Sequence, residues 1–158
     1  MRTSRATIEE LPKIELHGHL DGSISKKMIR QLAQRAEIAL TVSDDDLRLK
    51  ITAPQDAESL LDYLAPFDFV LPMLQTETAL ELAAYDILEQ AQKDNIRYME
   101  IRFAPTLHTA GGLTLSQVVA AVTRGLAAGE RDFQVKANAL LCGMRHESID
   151  SVLTVVNL

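Results

Sequence analysis

The chain has 158 residues and a formal net charge of −6, with 47% hydrophobic and 24% charged residues, a composition typical of a globular protein with one hydrophobic core. It contains no long apolar run and no apolar stretch near its start, so we expect no membrane span, no secretory signal and a cytoplasmic location. The acidic balance argues against a nucleic acid polymer as a partner, and a single cysteine, Cys142, rules out a disulfide within these residues.

The first element with a clear pattern is a strand. A helical turn over residues 8–11 ends at Pro12, and residues 13–19 then alternate polar and apolar side chains, which predicts a β-strand. Its apolar face holds Ile14 and Leu16, and its polar face holds Lys13, Glu15, His17 and His19. We expect this strand to be buried on its apolar side.

Three helical segments follow the strand. Ser25 is predicted to cap a helix that ends near residue 37, Ser43 to cap a short helix, and Asp56 to cap a third segment that ends near Pro72. Apolar side chains recur at helical spacing in the third segment: Leu60, Leu61, Tyr63, Leu64 and Phe67. Such a stripe, taken by itself, predicts packing in a core.

The second half of the chain alternates regularly between helix and strand. Thr76 predicts a helix to about residue 94, and residues 96–103 read as a strand. Thr114 predicts a helix to about Gly129, residues 133–142 a third strand, and a last helix begins near Glu147. This order predicts parallel strands joined by right-handed helical crossovers.

Parallel units of this kind form either an open doubly wound sheet or an eight-stranded barrel. The open sheet that binds dinucleotides requires a glycine-rich loop after its first strand, and residues 17–22 (HGHLDG) do not supply one. A barrel takes roughly 250 residues, so three strands are too few to close it. We therefore expect residues 1–158 to form an incomplete single domain.

The motif with the clearest chemistry is His17-Gly18-His19, which is followed by Asp21. Residues two apart on a strand project to the same side, with Cα atoms about 6.6 Å apart, so both imidazoles can reach one ion. Zinc suits neutral imidazole, but a catalytic zinc typically has three protein ligands, and nickel, copper or iron suit a histidine pair as well. A bare His-x-His is more often an exposed polar segment than a metal site. In this chain its position at the end of the first strand favours a metal site.

Four segments carry a resemblance to a known family. Residues 11–23 (LPKIELHGHLDGS), 63–69 (YLAPFDF), 98–105 (YMEIRFAP) and 140–146 (LLCGMRH) resemble adenosine deaminases, a branch of the metal-dependent amidohydrolase superfamily, in order and spacing. The resemblance covers essentially the whole chain but only about the first half of a family member. It implies an α/β fold that is a partial TIM (β/α)8 barrel, with three βα units and a helical insertion after the first strand.

The same resemblance implies an activity and a set of site residues. The activity is hydrolytic deamination of adenosine and deoxyadenosine to inosine and ammonia by a zinc-activated water. His17 and His19 match two zinc ligands, and Asp21 matches a carboxylate that holds a ribose hydroxyl. An apolar helical lid over the purine is matched by Leu60, Tyr63, Leu64 and Phe67, and further pocket positions by Leu107, Met144 and His146.

The chain departs from the family pattern where the match ends. The third metal-binding histidine, the proton-shuttling glutamate, the later catalytic histidine and the paired aspartates have no counterpart, so no catalytic acid or base is assigned. We expect Glu15 to be structural, while Arg102 and Arg145 suit either substrate contact or pairing with carboxylates. His108 lies in the loop 106–112 and is either an ordinary loop histidine or part of the entrance to the site.

Three interpretations of different class stay open. The chain is part of a deaminase of purine nucleosides; or it is an inactive deaminase-derived fragment that self-associates through exposed sheet edges or binds a partner chain; or it belongs to an amidohydrolase that acts on adenine. Unpaired strands and uncovered apolar surface would favour association. A ribose-binding carboxylate favours a nucleoside over the free base.

Overall fold

The computed structural model describes residues 4–158, which form a three-stranded parallel sheet with helices. The strands are β1 (Lys13–His19), β2 (Ile96–Phe103) and β3 (Lys136–Leu141), in the order β1-β2-β3. The α-helices are α1 (Arg5–Glu10), α2 (Lys26–Arg35), α3 (Asp44–Ile51), α4 (Leu60–Val70), α5 (Glu77–Lys93), α6 (Leu115–Phe133) and α7 (Ile149–Val156). Short 3₁₀ helices occupy Leu71–Met73 and Pro105–His108. The predicted parallel order is confirmed, and the carboxyl ends of all three strands meet at one edge.

Local capping chemistry explains where most helices begin. The side chains of Ser25, Ser43, Thr76 and Thr114 each accept the backbone N–H of the residue three positions later, as the sequence predicts. The prediction of Asp56 as a cap is wrong, because Ser59 lies directly before α4 and accepts the N–H of Asp62 instead. The last helix begins at Ile149, two residues beyond the predicted start.

One predicted boundary between helix and strand is also wrong. Helix α6 does not stop at Gly129 but continues to Phe133, and Gln134 ends it in the left-handed conformation with φ of 57°. Gly129 is buried, and a Cβ there would lie 2.9 Å from the Cβ of Leu88. The glycine therefore serves the close approach of α6 to α5, and β3 begins three residues later than predicted.

The hydrophobic core lies between one face of the sheet and helices α5 and α6. On β2, Met99, Ile101 and Phe103 alternate as the buried residues, each at most 6% exposed. Ala84 of α5 and Gly125 of α6 allow the two helices to approach closely, since a Cβ at Gly125 would lie 2.8 Å from the Cβ of Ala84. Burial of apolar area along this layer is the main stabilising contribution to the fold.

Strand β1 is an edge strand, and the expectation that its apolar face is buried is wrong. Ile14 and Leu16 are 68% and 55% exposed. The strand has β2 as its neighbour in the described sheet, and residues 4–158 supply no helix that covers its apolar side. The register also shifts between Glu15 and Gly18, so that the strand bulges next to its histidines.

The opposite face of the sheet is polar and carries its own hydrogen bonds. The hydroxyl of Tyr98 donates to Glu100 at 3.0 Å and accepts from the side-chain amide of Asn138 at 3.0 Å. Glu15 accepts the backbone N–H of His17 at 2.8 Å. No helix in the described part of the chain is long and apolar enough to cross a membrane.

Candidate active site at the carboxyl edge of the sheet

The histidine pair lies at the carboxyl end of β1 with both rings on the same side. The ring centroids of His17 and His19 are 5.4 Å apart, and the ring planes are inclined by 39°. This arrangement confirms the geometric prediction from the His-x-His spacing. A Cβ at Gly18 between them would meet the terminal methyl of Met99 on β2, so a side chain there would require Met99 to move.

Asp21 lies in the turn that follows the histidines and is the most enclosed polar group of the site. Its side chain is 7% exposed, and its Oδ1 is 4.0 Å from Nδ1 of His19. Burial raises the pKa of Asp21 to about 6, although the backbone N–H groups of Asp21 and Gly22 oppose that shift. Within residues 4–158 its Oδ1 has no hydrogen-bond partner. A buried acceptor without a donor is rare, and such an atom is available to a hydroxyl or N–H of a ligand.

A cavity of about 130 Å³ lies beside Asp21. Its walls come from the turn after β1 and from helices α2, α3 and α4, together with the segment after α3; they are Asp21, Gly22, Ile24, Ile29, Ile51, Ala53, Tyr63, Pro66, Phe67 and Val70. The ring of Phe67 also meets the ring of His19 edge-on, with centroids 5.7 Å apart. Helix α4 thus connects the cavity to the histidine pair.

The apolar stripe of α4 is not a core stripe. Leu60, Tyr63 and Leu64 are 71%, 54% and 39% exposed, so the interpretation as core packing that the spacing alone favours is wrong. Phe67 is half-buried against His19. Helix α4 begins directly after the exposed Ser59. It packs mainly on α3 and on the 3₁₀ helix Leu71–Met73, and its other face is open.

Arg102 is the cation of the site. It is the Cα partner of His19 across the β1–β2 ladder, and its Nε is buried with no hydrogen-bond partner among residues 4–158. Burial lowers the pKa of His19, and His17 and Arg102 lower it further. Arg102 therefore lies next to the histidines rather than in a carboxylate pair.

The histidines supply part of the donor set of a metal site. Two imidazoles on one face at neighbouring positions are suitable zinc ligands. The part of the chain that the structure describes contains no group of three His, Cys, Asp or Glu side chains arranged to hold a metal ion. The residues present therefore fit two positions of a zinc site.

Comparison with known proteins identifies the family of the chain. The sequence model of the adenosine deaminase family matches residues 12–158. The chain belongs to the adenosine deaminase family. The adenosine deaminase of Lactococcus lactis is 50% identical over 151 residues, which are 96% of this chain and 43% of that protein. That of Streptococcus mutans is 53% identical over 142 residues, which are 90% of this chain and 41% of that protein.

Solved structures agree on the fold. An adenine deaminase from Arthrobacter aurescens, 32% identical, has a TM-score of 0.78 and is matched over 92% of this chain and 44% of its own. An amidohydrolase from Burkholderia ambifaria with bound zinc has a TM-score of 0.81 at 23% identity, over 99% of this chain and 43% of its own, which shows the fold alone. The chain thus has the partial barrel fold, and it spans less than half the length of the relatives it matches.

The other residues that the adenosine deaminase pattern selects lie on the other two loops of the carboxyl edge, outside the cavity beside Asp21. Leu107 is in the 3₁₀ helix after β2 and lines a separate depression with Leu71 and Gln75. Met144 is half-buried and His146 exposed in the loop between β3 and α7. Their roles in substrate binding stay predictions.

His108 does not line the entrance to the site, which corrects one of the two expectations for it. Its side chain is completely buried, and its Nδ1 lies 3.1 Å from the carbonyl oxygen of Leu74. Burial lowers the pKa of His108 to about 4, although the hydrogen bond with Leu74 opposes the shift. It is a neutral histidine that attaches the loop after β2 to the segment before α5.

Proposed function

We propose that this chain supplies the first part of the active site of a hydrolytic deaminase that converts adenosine and deoxyadenosine to inosine and ammonia. The observation that carries the proposal is the grouping of three features at the carboxyl edge of the sheet. These are the adjacent rings of His17 and His19, the buried oxygen of Asp21 that has no partner among residues 4–158, and the apolar cavity beside it. Barrel enzymes bind their substrates at this edge, and the relatives named adenosine deaminase agree with the reaction.

His17 and His19 would hold zinc as two of its protein ligands. When bound, zinc lowers the pKa of a water molecule, so that it can attack the purine at C6. Since a catalytic zinc typically has three protein ligands, another segment of polypeptide would supply the rest. The catalytic acid and base would come from such a segment as well, because no residue of this chain matches them.

Asp21 would bind the sugar of the nucleoside. Its buried Oδ1 has no donor within residues 4–158, so a ribose hydroxyl would provide the missing hydrogen bond. Leu60, Tyr63, Leu64 and Phe67 of α4 would cover the base and keep water away from it. The exposure of Leu60 and Tyr63 agrees with a helix whose apolar face receives a ligand rather than a core.

Two alternatives have specific observations in their favour. The 32% identity to an adenine deaminase favours the free base as substrate, but adenine offers no hydroxyl to Asp21. The exposed edge of β1 with Ile14 and Leu16 favours a fragment that self-associates or binds a partner chain. Binding of adenosine, deoxyadenosine and adenine by the same preparation, together with its sedimentation, separates these possibilities.

The first test is the zinc content of the purified chain with and without the histidine pair. We expect zinc binding that is abolished in the His17→Ala/His19→Ala variant and kept in His146→Ala, whose histidine is also exposed. Equal loss in both variants would indicate adventitious binding to surface histidines and contradict the proposed ligands. Inosine formed by the 158-residue chain alone would contradict the proposal that the acid and base lie elsewhere.

A further inference from the structure

Asp86 is a buried carboxylate that the proposed chemistry does not use. It lies on α5, is 2% exposed, and accepts three hydrogen bonds from uncharged groups. Oδ2 accepts the backbone N–H of Ser25 at 2.8 Å and the side-chain amide of Gln90 at 3.0 Å, and Oδ1 accepts the hydroxyl of Ser25 at 2.7 Å. A buried carboxylate needs such donors, because burial without them is costly.

These hydrogen bonds attach the start of α2 to α5. The hydroxyl of Ser25 donates a hydrogen bond to Asp86 and accepts one from the backbone N–H of Met28 at 3.2 Å, so it caps α2 while it is itself held in place. The side chain of Gln90 also donates to the carbonyl of Ser23 at 2.8 Å. Negative charge next to the amino terminus of a helix is favourable.

The segment held in this way is the turn that carries Asp21. At its beginning, the N–H of Leu20 donates to the carbonyl of Arg102 on β2 at 3.0 Å. At its end, Asp86 and Gln90 hold Ser25 and Ser23. The buried Oδ1 of Asp21 has no protein donor of its own among residues 4–158, so the backbone of the turn determines where it points.

We infer that Asp86 is a positioning residue, which orders the Leu20–Ser25 turn through Ser25 and Gln90 and thereby aims the carboxylate of Asp21 at the substrate hydroxyl. The inference rests on the proposed function for the role of Asp21, but the ordering of the turn is independent of it. In Asp86→Asn the side chain keeps a single acceptor oxygen, so the hydroxyl and the N–H of Ser25 would compete for it. The predicted defect is local to the turn.

Backbone amide hydrogen exchange of the 158-residue chain tests the ordering. We expect Asp86→Asn to speed exchange of the amides from Leu20 to Ser25 by at least about tenfold, and Gln90→Ala to do so by less. The amides of α6 in the same Asp86→Asn variant are the control, because α6 packs on α5 through Gly129 and Leu88. Turn amides whose exchange rises no more than that of the α6 amides would overturn the inference.

A double-mutant cycle on adenosine binding tests the connection to Asp21. We expect Asp86→Asn to weaken binding by about tenfold in the wild-type background and to have no further effect beside Asp21→Ala, because the effects of groups that act through one hydrogen-bond network are not additive. Effects that multiply would indicate a general structural role and overturn the positioning role. If the unmodified chain binds no adenosine, the proposed nucleoside site fails, and hydrogen exchange still decides whether Asp86 orders the turn.

Discussion

The two sides of this molecule differ in how completely their side chains are packed and hydrogen-bonded. The layer of α5 and α6 on the sheet is closely packed, with Leu88 and Ile101 fully buried and glycines where the helices approach. The side formed by β1 and α4 exposes Ile14, Leu16, Leu60 and Tyr63, and within residues 4–158 an oxygen of Asp21 has no hydrogen-bond partner. The packed side has the properties of a completed core, whereas the open side has those of a surface that receives a ligand or further chain.

A leucine-to-alanine substitution on each side tests this difference most directly. We expect Leu88→Ala to lower the free energy of unfolding by about 2–5 kcal/mol, because it creates a cavity between α5 and α6. Leu60→Ala, where the side chain is 71% exposed, should change it by no more than about 0.5 kcal/mol. Urea unfolding of both variants measures the difference, and similar losses would show that α4 is packed in solution.

The pH dependence of stability tests the packed side at His108. Its pKa in the folded chain is about 4 and near 6.5 when unfolded, so the unfolded state binds more protons between these values. The contribution of His108 to the free energy of unfolding is therefore fully present above about pH 6.5. It is lost as the pH falls towards 4, by about 3 kcal/mol in total.

The control for that prediction is His108→Gln, which cannot take up the proton. Unfolding measured from pH 7 to pH 4 should fall less steeply in the variant, and the difference between the two curves isolates His108 from other titrating groups. Parallel curves would mean that the side chain of His108 reaches water in solution. His108→Asn provides a second variant of smaller volume if the glutamine does not fit.

The smallest effect on stability, and a specific effect on association, is expected at the edge of β1. Ile14→Lys/Leu16→Lys should change the free energy of unfolding by no more than about 0.5 kcal/mol, since both side chains are exposed. It should reduce self-association in sedimentation experiments, because charges on an edge strand oppose pairing. Leu49→Lys, at a 67% exposed position of α3, is the control; equal loss of association there would assign the contact to general surface hydrophobicity.

Much of the local structure was predictable because its causes are local. The N-caps at Ser25 and Thr114 and the parallel order of the strands follow from capping and periodicity. The errors arose where a distant contact overrode the local signal. Gly129 reads as the end of a helix, yet its position against Leu88 continues the helix.

The candidate site was predictable in part for the same reason. Two histidines on one strand are brought together by the strand itself, so their 5.4 Å separation follows from spacing. The burial of Asp21, its attachment through Ser25 to Asp86, and the burial of His108 against Leu74 join residues far apart in the chain. Spacing within one element says nothing about such contacts.

The sequence alone predicts the helices and strands, most of their caps, the His-x-His pair and the membership of the adenosine deaminase family, because these depend on neighbouring residues or on ordered motifs. Which apolar faces are covered depends on the tertiary structure. The stripe of α4 and the apolar face of β1 look like core in the sequence, but burial depends on what packs against a face. In this chain α5 and α6 cover the apolar face of the sheet at β2, and residues 4–158 supply no helix that covers this face at β1.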